Sequence, residues 1–260
     1  MTLRGRGIFA AVFLVMLMTW AQWSVAESDE PGQAQSTGSS PSLDALKQGF
    51  VAMEAGDPEA ALDHYRDALE NANTSELRFQ ASVGLGSAAA ALGHLADARS
   101  WFEQALEIRP GNAEALFSLG EIARDQGRYQ EAASYFANAA VRDPELTPAL
   151  VELGVVYEIL ERHEEAADAC WRAVSTQPED LGALLCLGVA RYHMGLYAGA
   201  AQAFEAAVQV APENARGHYG LGLARLFLDD LEGATTSYRA LKELDGDLAR
   251  DLYSRIHAPK

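Results

Sequence analysis

Beyond residue 41, apolar side chains recur at the spacing of amphipathic helices, in short stretches divided by polar turns. Residues 113–146 show the pattern twice, with Leu116, Leu119, Gly120 and Ala123 on a first face and Ala132, Ala133, Phe136, Ala139 and Ala140 on a second. Because positions three and four apart share one face of an α-helix, each stretch predicts a pair of short helices. Gly127 can end the first helix in the left-handed conformation, and Pro144 follows the second helix, which it cannot continue.

The pattern has a period of 34 residues, which indicates a repeat protein. Three residue types recur in constant phase: Gly86, Gly120, Gly154, Gly188 and Gly222; Ala98, Ala132, Ala166, Ala200 and Ala234; Pro110, Pro144, Pro178 and Pro212. A further copy lies upstream, with Gly49 and Ala61 offset by 37 residues, and we assign the three extra residues to a loop around residues 73–77. The predicted repeats are 42–75, 79–112, 113–146, 147–180, 181–214 and 215–248.

The small residues at fixed positions predict close packing of helices. Gly120 and Ala132 allow two helix backbones to approach, and Phe136 fills the space beside them. One hairpin cannot bury its apolar face alone, so the copies are expected to stack into an all-α solenoid.

These repeats resemble the tetratricopeptide repeat family over residues 42–248. The family pattern is matched in the third copy by Leu119, Gly120, Ala132, Phe136, Ala139 and Pro144, and in the fifth by Leu187, Gly188, Ala200, Phe204, Ala207 and Pro212. The resemblance implies a right-handed superhelical solenoid of about six helix hairpins. Leu248, Leu252 and Ile256 follow at helical spacing and predict a capping helix, with a short tail, over residues 249–260.

The first 26 residues have the order of a secretory signal peptide. Arg4 and Arg6 precede an apolar stretch over residues 8–21, and small residues lead to a cleavage site after Ala26. Two alternatives stay open, cleavage after Ala21 and retention of the segment as a membrane anchor. Residues 27–41 are polar and rich in Ser, Gly and Pro, which predicts a flexible linker. We therefore expect a periplasmic protein that touches a membrane only if the signal segment is retained.

Charge and composition narrow the range of partners. The chain has 20 basic and 37 acidic residues among 260, a net charge of −17. Nucleic-acid binding draws on clustered Lys and Arg, so no nucleic-acid partner is expected.

No arrangement of side chains in the sequence suggests catalysis. There is no phosphate-binding loop, and the sequence that begins at His163 lacks the second histidine of a zinc protease motif. His193 and His218 can approach each other on adjacent helices, but two histidines without a third ligand rarely hold a metal. We expect no enzyme activity, no cofactor and no metal.

Cys170 and Cys186 lie on successive helices. Cys170 replaces the packing aromatic residue of the fourth repeat. Two interpretations stay open: a disulfide between repeats, or two small buried apolar side chains.

The family resemblance also implies a concave groove lined by the first helix of each repeat. The candidate groove residues are Phe117, Glu121, Asp125, Val151, Val155, Glu158, Leu185, Val189, Tyr192, Tyr219 and Leu223. The later part of this set is apolar and aromatic, with Tyr219 as the expected anchor, and acids cluster in repeats 3 and 4. For repeats 5 and 6 the alternative is that neighbouring helices and the C-terminal helix cover these side chains.

The expected partner is a protein or peptide segment that is apolar and carries basic residues. Analogy with exported members of the family suggests a non-enzymatic adaptor in envelope assembly, secretion or pilus-type machinery. The alternative function is a self-associating structural protein, a homo-oligomer that uses the same groove.

Overall fold

The structure, a computed structural model, describes residues 40–258. The predicted signal segment and nearly all of the predicted linker lie outside these residues. The described part contains thirteen α-helices and no strand. The helices are α1 (Pro41–Glu54), α2 (Pro58–Glu70), α3 (Ser75–Ala91), α4 (Leu95–Ile108), α5 (Ala113–Asp125), α6 (Tyr129–Arg142), α7 (Thr147–Ile159), α8 (His163–Thr176), α9 (Leu181–His193), α10 (Tyr197–Val210), α11 (Ala215–Phe227), α12 (Leu231–Leu244) and α13 (Gly246–Ile256). Between residues 40 and 258, no helix has both the length and the apolarity needed to cross a membrane.

Local sequence explains where the helices begin and end. Asn112, Asp180 and Asn214 each accept a hydrogen bond from a backbone N–H three residues later, at the start of α5, α9 and α11. Such caps satisfy amide donors that have no partner within the helix. Gly127 follows α5 with a φ of 74°, the left-handed conformation that its position predicted.

The described residues fall into two compact units. The first ends at Arg142 and contains α1–α6, which form repeats 1 to 3; the second begins at Asp143 and contains α7–α13. Within each unit, the two helices of a repeat pack as a hairpin, and each hairpin contacts the next. The prediction of an all-α helical-repeat solenoid is confirmed.

The aromatic side chain of a hairpin packs directly against the recurrent glycines. A Cβ atom added to Gly120 would lie 2.6 Å from the ring of Phe136, closer than real Cβ contacts allow. In the second unit, Phe204 lies against Gly188 of its own repeat and Gly220 of the next. A Cβ atom added to either glycine would again lie 2.6 Å from the ring. The periodic glycines are therefore packing positions rather than turns.

In the fourth repeat a disulfide takes the place of this aromatic ring. Cys170 and Cys186 are bonded, with their Cα atoms 5.7 Å apart and both side chains buried. Both sulfur atoms lie against Gly154, the glycine that receives a ring in the neighbouring repeats. Of the two alternatives that the sequence left open, the structure contains the bridge.

Three predicted boundaries differ from the structure because helices extend into the expected connections. The three extra residues near position 75 do not form a loop; they lengthen α3 to 17 residues, starting after Thr74, whose hydroxyl accepts from the Leu77 amide at 3.1 Å. Helix α13 begins at Gly246 rather than 249, because Asp245 caps the Asp247 and Leu248 amides. Helix α1 likewise includes Pro41.

Helix α13 packs on the last repeat. Leu252 is fully buried beside Leu241 of α12, and Tyr219, Leu223 and Leu226 of α11 pack against the same cluster. The helix thus closes the apolar face that the final hairpin would otherwise expose.

Candidate functional site

The first helices of repeats 4 to 6 share an exposed apolar surface. Val155 and Ile159 on α7, Val189 on α9 and Phe227 on α11 are between 37% and 55% exposed. We call these four residues the apolar surface. Isolated exposed apolar residues are common, but here they recur on successive first helices that contact each other: Val155 and Val189 are the ninth residues of repeats 4 and 5, and Ile159 and Phe227 are the thirteenth of repeats 4 and 6. Such a surface is typical of a docking site.

An aromatic cluster holds one end of the apolar surface in place. The ring of Phe227 stacks on Tyr197 with centroids 4.3 Å apart and contacts Tyr192 edge-on at 5.5 Å. Tyr192 also meets Tyr197 at 5.6 Å, and partial burial raises the pKa of the Tyr192 hydroxyl. Phe227 is therefore exposed yet restrained, so a partner would meet a largely ordered side chain.

The predicted anchor, Tyr219, and the neighbouring Leu223 are partly covered. The Tyr219 hydroxyl donates a hydrogen bond to Asp251 at 2.5 Å, and Leu223 packs against the buried cluster under α13. Burial and this bond raise the pKa of Tyr219, while bonds from Arg255 and Tyr219 lower that of Asp251. At repeat 6 the C-terminal helix covers these side chains, the alternative left open by the sequence.

Two other predicted groove residues of the second unit are partly buried. Leu185 packs beside Phe204 and Leu221, and Val151 lies half-buried on α7. Both are therefore less exposed than the four residues of the apolar surface.

In the first unit, two of the predicted groove residues are buried. Phe117 packs on Phe136 with ring centroids 5.5 Å apart, and Glu121 is enclosed with one oxygen 4.0 Å from Arg124. The Arg124 guanidinium also bonds Asp125 at 3.1 Å. Of the acids predicted in repeat 3, Glu121 is therefore buried, whereas Asp125 is exposed and paired with Arg124.

Glu158 contacts two histidines rather than solvent. Its carboxylate lies 2.5 Å from Nδ1 of His193 and 3.1 Å from Nδ1 of His163. His218, the histidine that the sequence places on the helix next to that of His193, instead contacts the Pro212 carbonyl at 2.8 Å. The repeat period was the signal that could have found this contact. Counted from the first residue of each repeat, Glu158 is the twelfth residue of repeat 4 and His193 the thirteenth of repeat 5, so both lie near the ends of successive first helices.

The fold and its exposed inner helices define a helical-repeat scaffold. The tetratricopeptide repeat model matches residues 46–113, 117–183 and 185–249. The chain therefore belongs to the tetratricopeptide repeat family, whose members act as protein-interaction scaffolds. Among curated proteins, none matches the sequence significantly.

Solved structures show the same fold at low sequence identity. PilF of Pseudomonas aeruginosa is 20% identical, with a TM-score of 0.70 over 82% of this chain and 97% of PilF. YrrB, described as a TPR protein with an unusual peptide-binding site, is 22% identical, with a TM-score of 0.64 over 73% of this chain and 97% of its own. MamA is 23% identical, with a TM-score of 0.59 over 64% of this chain and 97% of MamA.

Proposed function

We propose that this protein is an exported, non-enzymatic adaptor that binds a partner protein segment on the apolar surface of repeats 4 to 6. The observation that carries the proposal is the exposure of Val155, Val189 and Phe227 on the first helices of three successive repeats, with Phe227 held by tyrosines. Full burial of side chains of this size is worth roughly 1.5–3 kcal/mol each, and a bound segment would gain the share that corresponds to the 37–55% of each side chain still exposed. The proposed peptide binding has a parallel in the site described for YrrB.

The partner segment is apolar and flanked by basic residues. The surface itself offers aliphatic and aromatic contacts, and the net charge of −17 attracts a cationic segment during approach. Glu121, Asp125 and Glu158 have partners within the protein, so they do not supply this attraction as separate charges. Affinity then comes from apolar contact, and the charge mainly speeds association.

Selection from a displayed peptide library, followed by titration of the selected peptides, tests this proposal. Selected sequences are expected to combine large apolar residues with Lys or Arg. The double variant Val189→Glu, Phe227→Ala should weaken their binding by about tenfold or more, because it removes two central apolar contacts.

Val210→Glu is the matched control. Val210 is 42% exposed in the same unit but lies on α10, a second helix, and its substitution should leave binding unchanged. Equal loss in both variants would show a general charge effect and overturn the assignment of the surface. If Val189→Glu instead converts a dimer to a monomer in sedimentation, the occupant is a second copy of the chain.

Export is the second part of the proposal, and it rests on the sequence of residues 1–26. The mature protein is expected to begin at Glu27 and to fractionate with the periplasm. Edman sequencing of the exported product and fractionation measure both. A chain that starts at Met1 and pellets with membranes would show retention as an anchor, and one that stays in the cytoplasm would contradict export. We place the adaptor in envelope assembly, secretion or pilus-type machinery.

A further inference from the structure

Three side chains with metal-binding groups meet at one corner of the second unit. Glu158 stands near the end of α7, His163 begins α8 and His193 ends α9. One ligand atom from each lies within 4.8 Å of the other two, and the imidazole centroids are 5.0 Å apart. The cluster therefore joins three helices and two repeats through groups that are not consecutive in sequence.

The chemistry of these groups matches a transition-metal site. Two imidazole nitrogens and one carboxylate are ligands that Zn²⁺ accepts together, with a fourth position left for water or another ligand. Both imidazoles present Nδ1 to the same carboxylate, so the three donor atoms surround one small volume. Nitrogen donors disfavour Mg²⁺ and Ca²⁺, which prefer oxygen ligands in larger number.

The burial of Glu158 and the ring contact of His193 also favour a defined binding site. The Glu158 side chain is only 12% exposed, so its carboxylate is directed at the histidines instead of into bulk water. His193 is partly open and its ring contacts Tyr192 at 5.7 Å, which restrains its orientation. Ligands held on three packed helices, with Glu158 largely shielded, lose less freedom on binding an ion than ligands on a mobile loop would.

We propose that Glu158, His163 and His193 bind one divalent transition-metal ion, with Zn²⁺ as the expected species. Zinc–nitrogen distances of about 2.0–2.1 Å place neighbouring ligand atoms somewhat further apart than the hydrogen-bonded contacts seen here. Small rotations of the imidazoles supply that adjustment. The carboxylate and the neutral imidazoles bind the ion, and any proton shared between them leaves to solvent. The ion would link repeats 4 and 5 beside the apolar surface, and a water or a partner side chain would complete its coordination.

Isothermal titration with Zn²⁺ tests the proposal on the purified protein, freed of any histidine tag and dialysed against chelator. The wild-type protein is expected to bind one equivalent. His193→Gln and Glu158→Gln should each weaken binding by about tenfold or more, since even outer-shell changes reach that range. His218→Ala is the matched control, a histidine of the next repeat outside the cluster, and should bind as the wild type does. Mg²⁺ should give no saturable binding.

Thermal melting gives a second, independent measurement. Zn²⁺ should raise the melting temperature of the wild type and of His218→Ala, because a ligand bound only to the folded state stabilises it. The rise should be absent in His193→Gln, whose fold is checked by circular dichroism. Absence of one-site binding in the wild type, or unchanged zinc affinity in a His163→Gln, His193→Gln double variant, would overturn the proposal. Peptide binding by the same preparations is measured separately, so its failure leaves the metal result standing.

Discussion

Replacing Gly154 with leucine is expected to destabilise the protein by about 1–3 kcal/mol or more through overpacking. Even a single Cβ atom at this position would lie 2.6 Å from Sγ of Cys186, and it would meet Sγ of Cys170 as well. The two sulfur atoms are bonded to each other and both cysteines are buried, so neither sulfur can move aside as the end of a flexible side chain would. Helices α7, α8 and α9 must therefore separate. Thermal and denaturant melts of the purified variant measure the loss.

Two glycine-to-alanine variants, Gly246→Ala and Gly154→Ala, provide the control. Gly246 begins α13 with no atom within 4 Å of an added Cβ, and its φ is not positive. Gly246→Ala should therefore be neutral or slightly stabilising, since alanine restricts the unfolded chain, whereas Gly154→Ala should destabilise. If Gly154→Leu melts like the wild type, the close packing of Gly154 on the disulfide is wrong.

Removing the disulfide is expected to have a similar or larger effect. Cys170 and Cys186 are 16 residues apart in sequence. A bridge that closes a loop of this length contributes about 3 kcal/mol by restricting the unfolded chain. The Cys170→Ser, Cys186→Ser variant should lose about this amount, and it also places hydroxyl groups in an apolar site. Melts of oxidised wild type with and without reductant should show the same direction of change.

The neighbouring repeat suggests a variant that restores stability without sulfur. In repeat 5, Phe204 lies between Gly188 and Gly220, and Cys170 and Cys186 occupy the positions that correspond to Phe204 and Gly220. A Cys170→Phe, Cys186→Gly protein should therefore recover much of the stability lost by the serine variant and should not respond to reductant. If reductant leaves the wild type unchanged, the bridge does not contribute as argued.

The same helix carries the bridge and the proposed sites. Helix α9 places Cys186 against α8, Val189 on the apolar surface and His193 beside Glu158. A covalent link near its middle limits how far α9 can move relative to the hairpin before it. The proposed binding surface is thus presented from a fixed helix, which reduces the ordering cost of association.

The repeat class followed from the sequence because its signals are local or periodic. Gly120, Gly154 and Gly188 recur in phase, and the helical spacing of apolar residues needs only a few neighbouring positions. The family match and the structure confirm both the family membership and the all-α fold that these signals predicted. The sequence also identified Gly154 as a position of close helix contact.

Boundaries were less predictable where a helix had more than one physically acceptable start. Thr74 and Asp245 both cap the amides that follow them, and the residues after each cap continue as helix where they pack on a neighbouring hairpin. An offset in the repeat period shows that residues were inserted, but it does not distinguish a longer loop from an added helical turn.

Which inner side chains are open was decided by tertiary packing. Tyr219 and Phe227 lie on the same helix and both are aromatic, yet α13 covers the first and leaves the second 55% exposed. The periodicity of α11 defines an apolar face, but exposure depends on where a neighbouring helix ends and at what angle it crosses. The meeting of Glu158 with His163 and His193 has the same origin. The sequence alone determined the repeat, the helices and the glycine contacts, because these arise from local and periodic interactions. The disulfide, the partly covered Tyr219 and the cluster of Glu158 with two histidines depend on how the helices are placed relative to one another, and only the folded chain provides that placement.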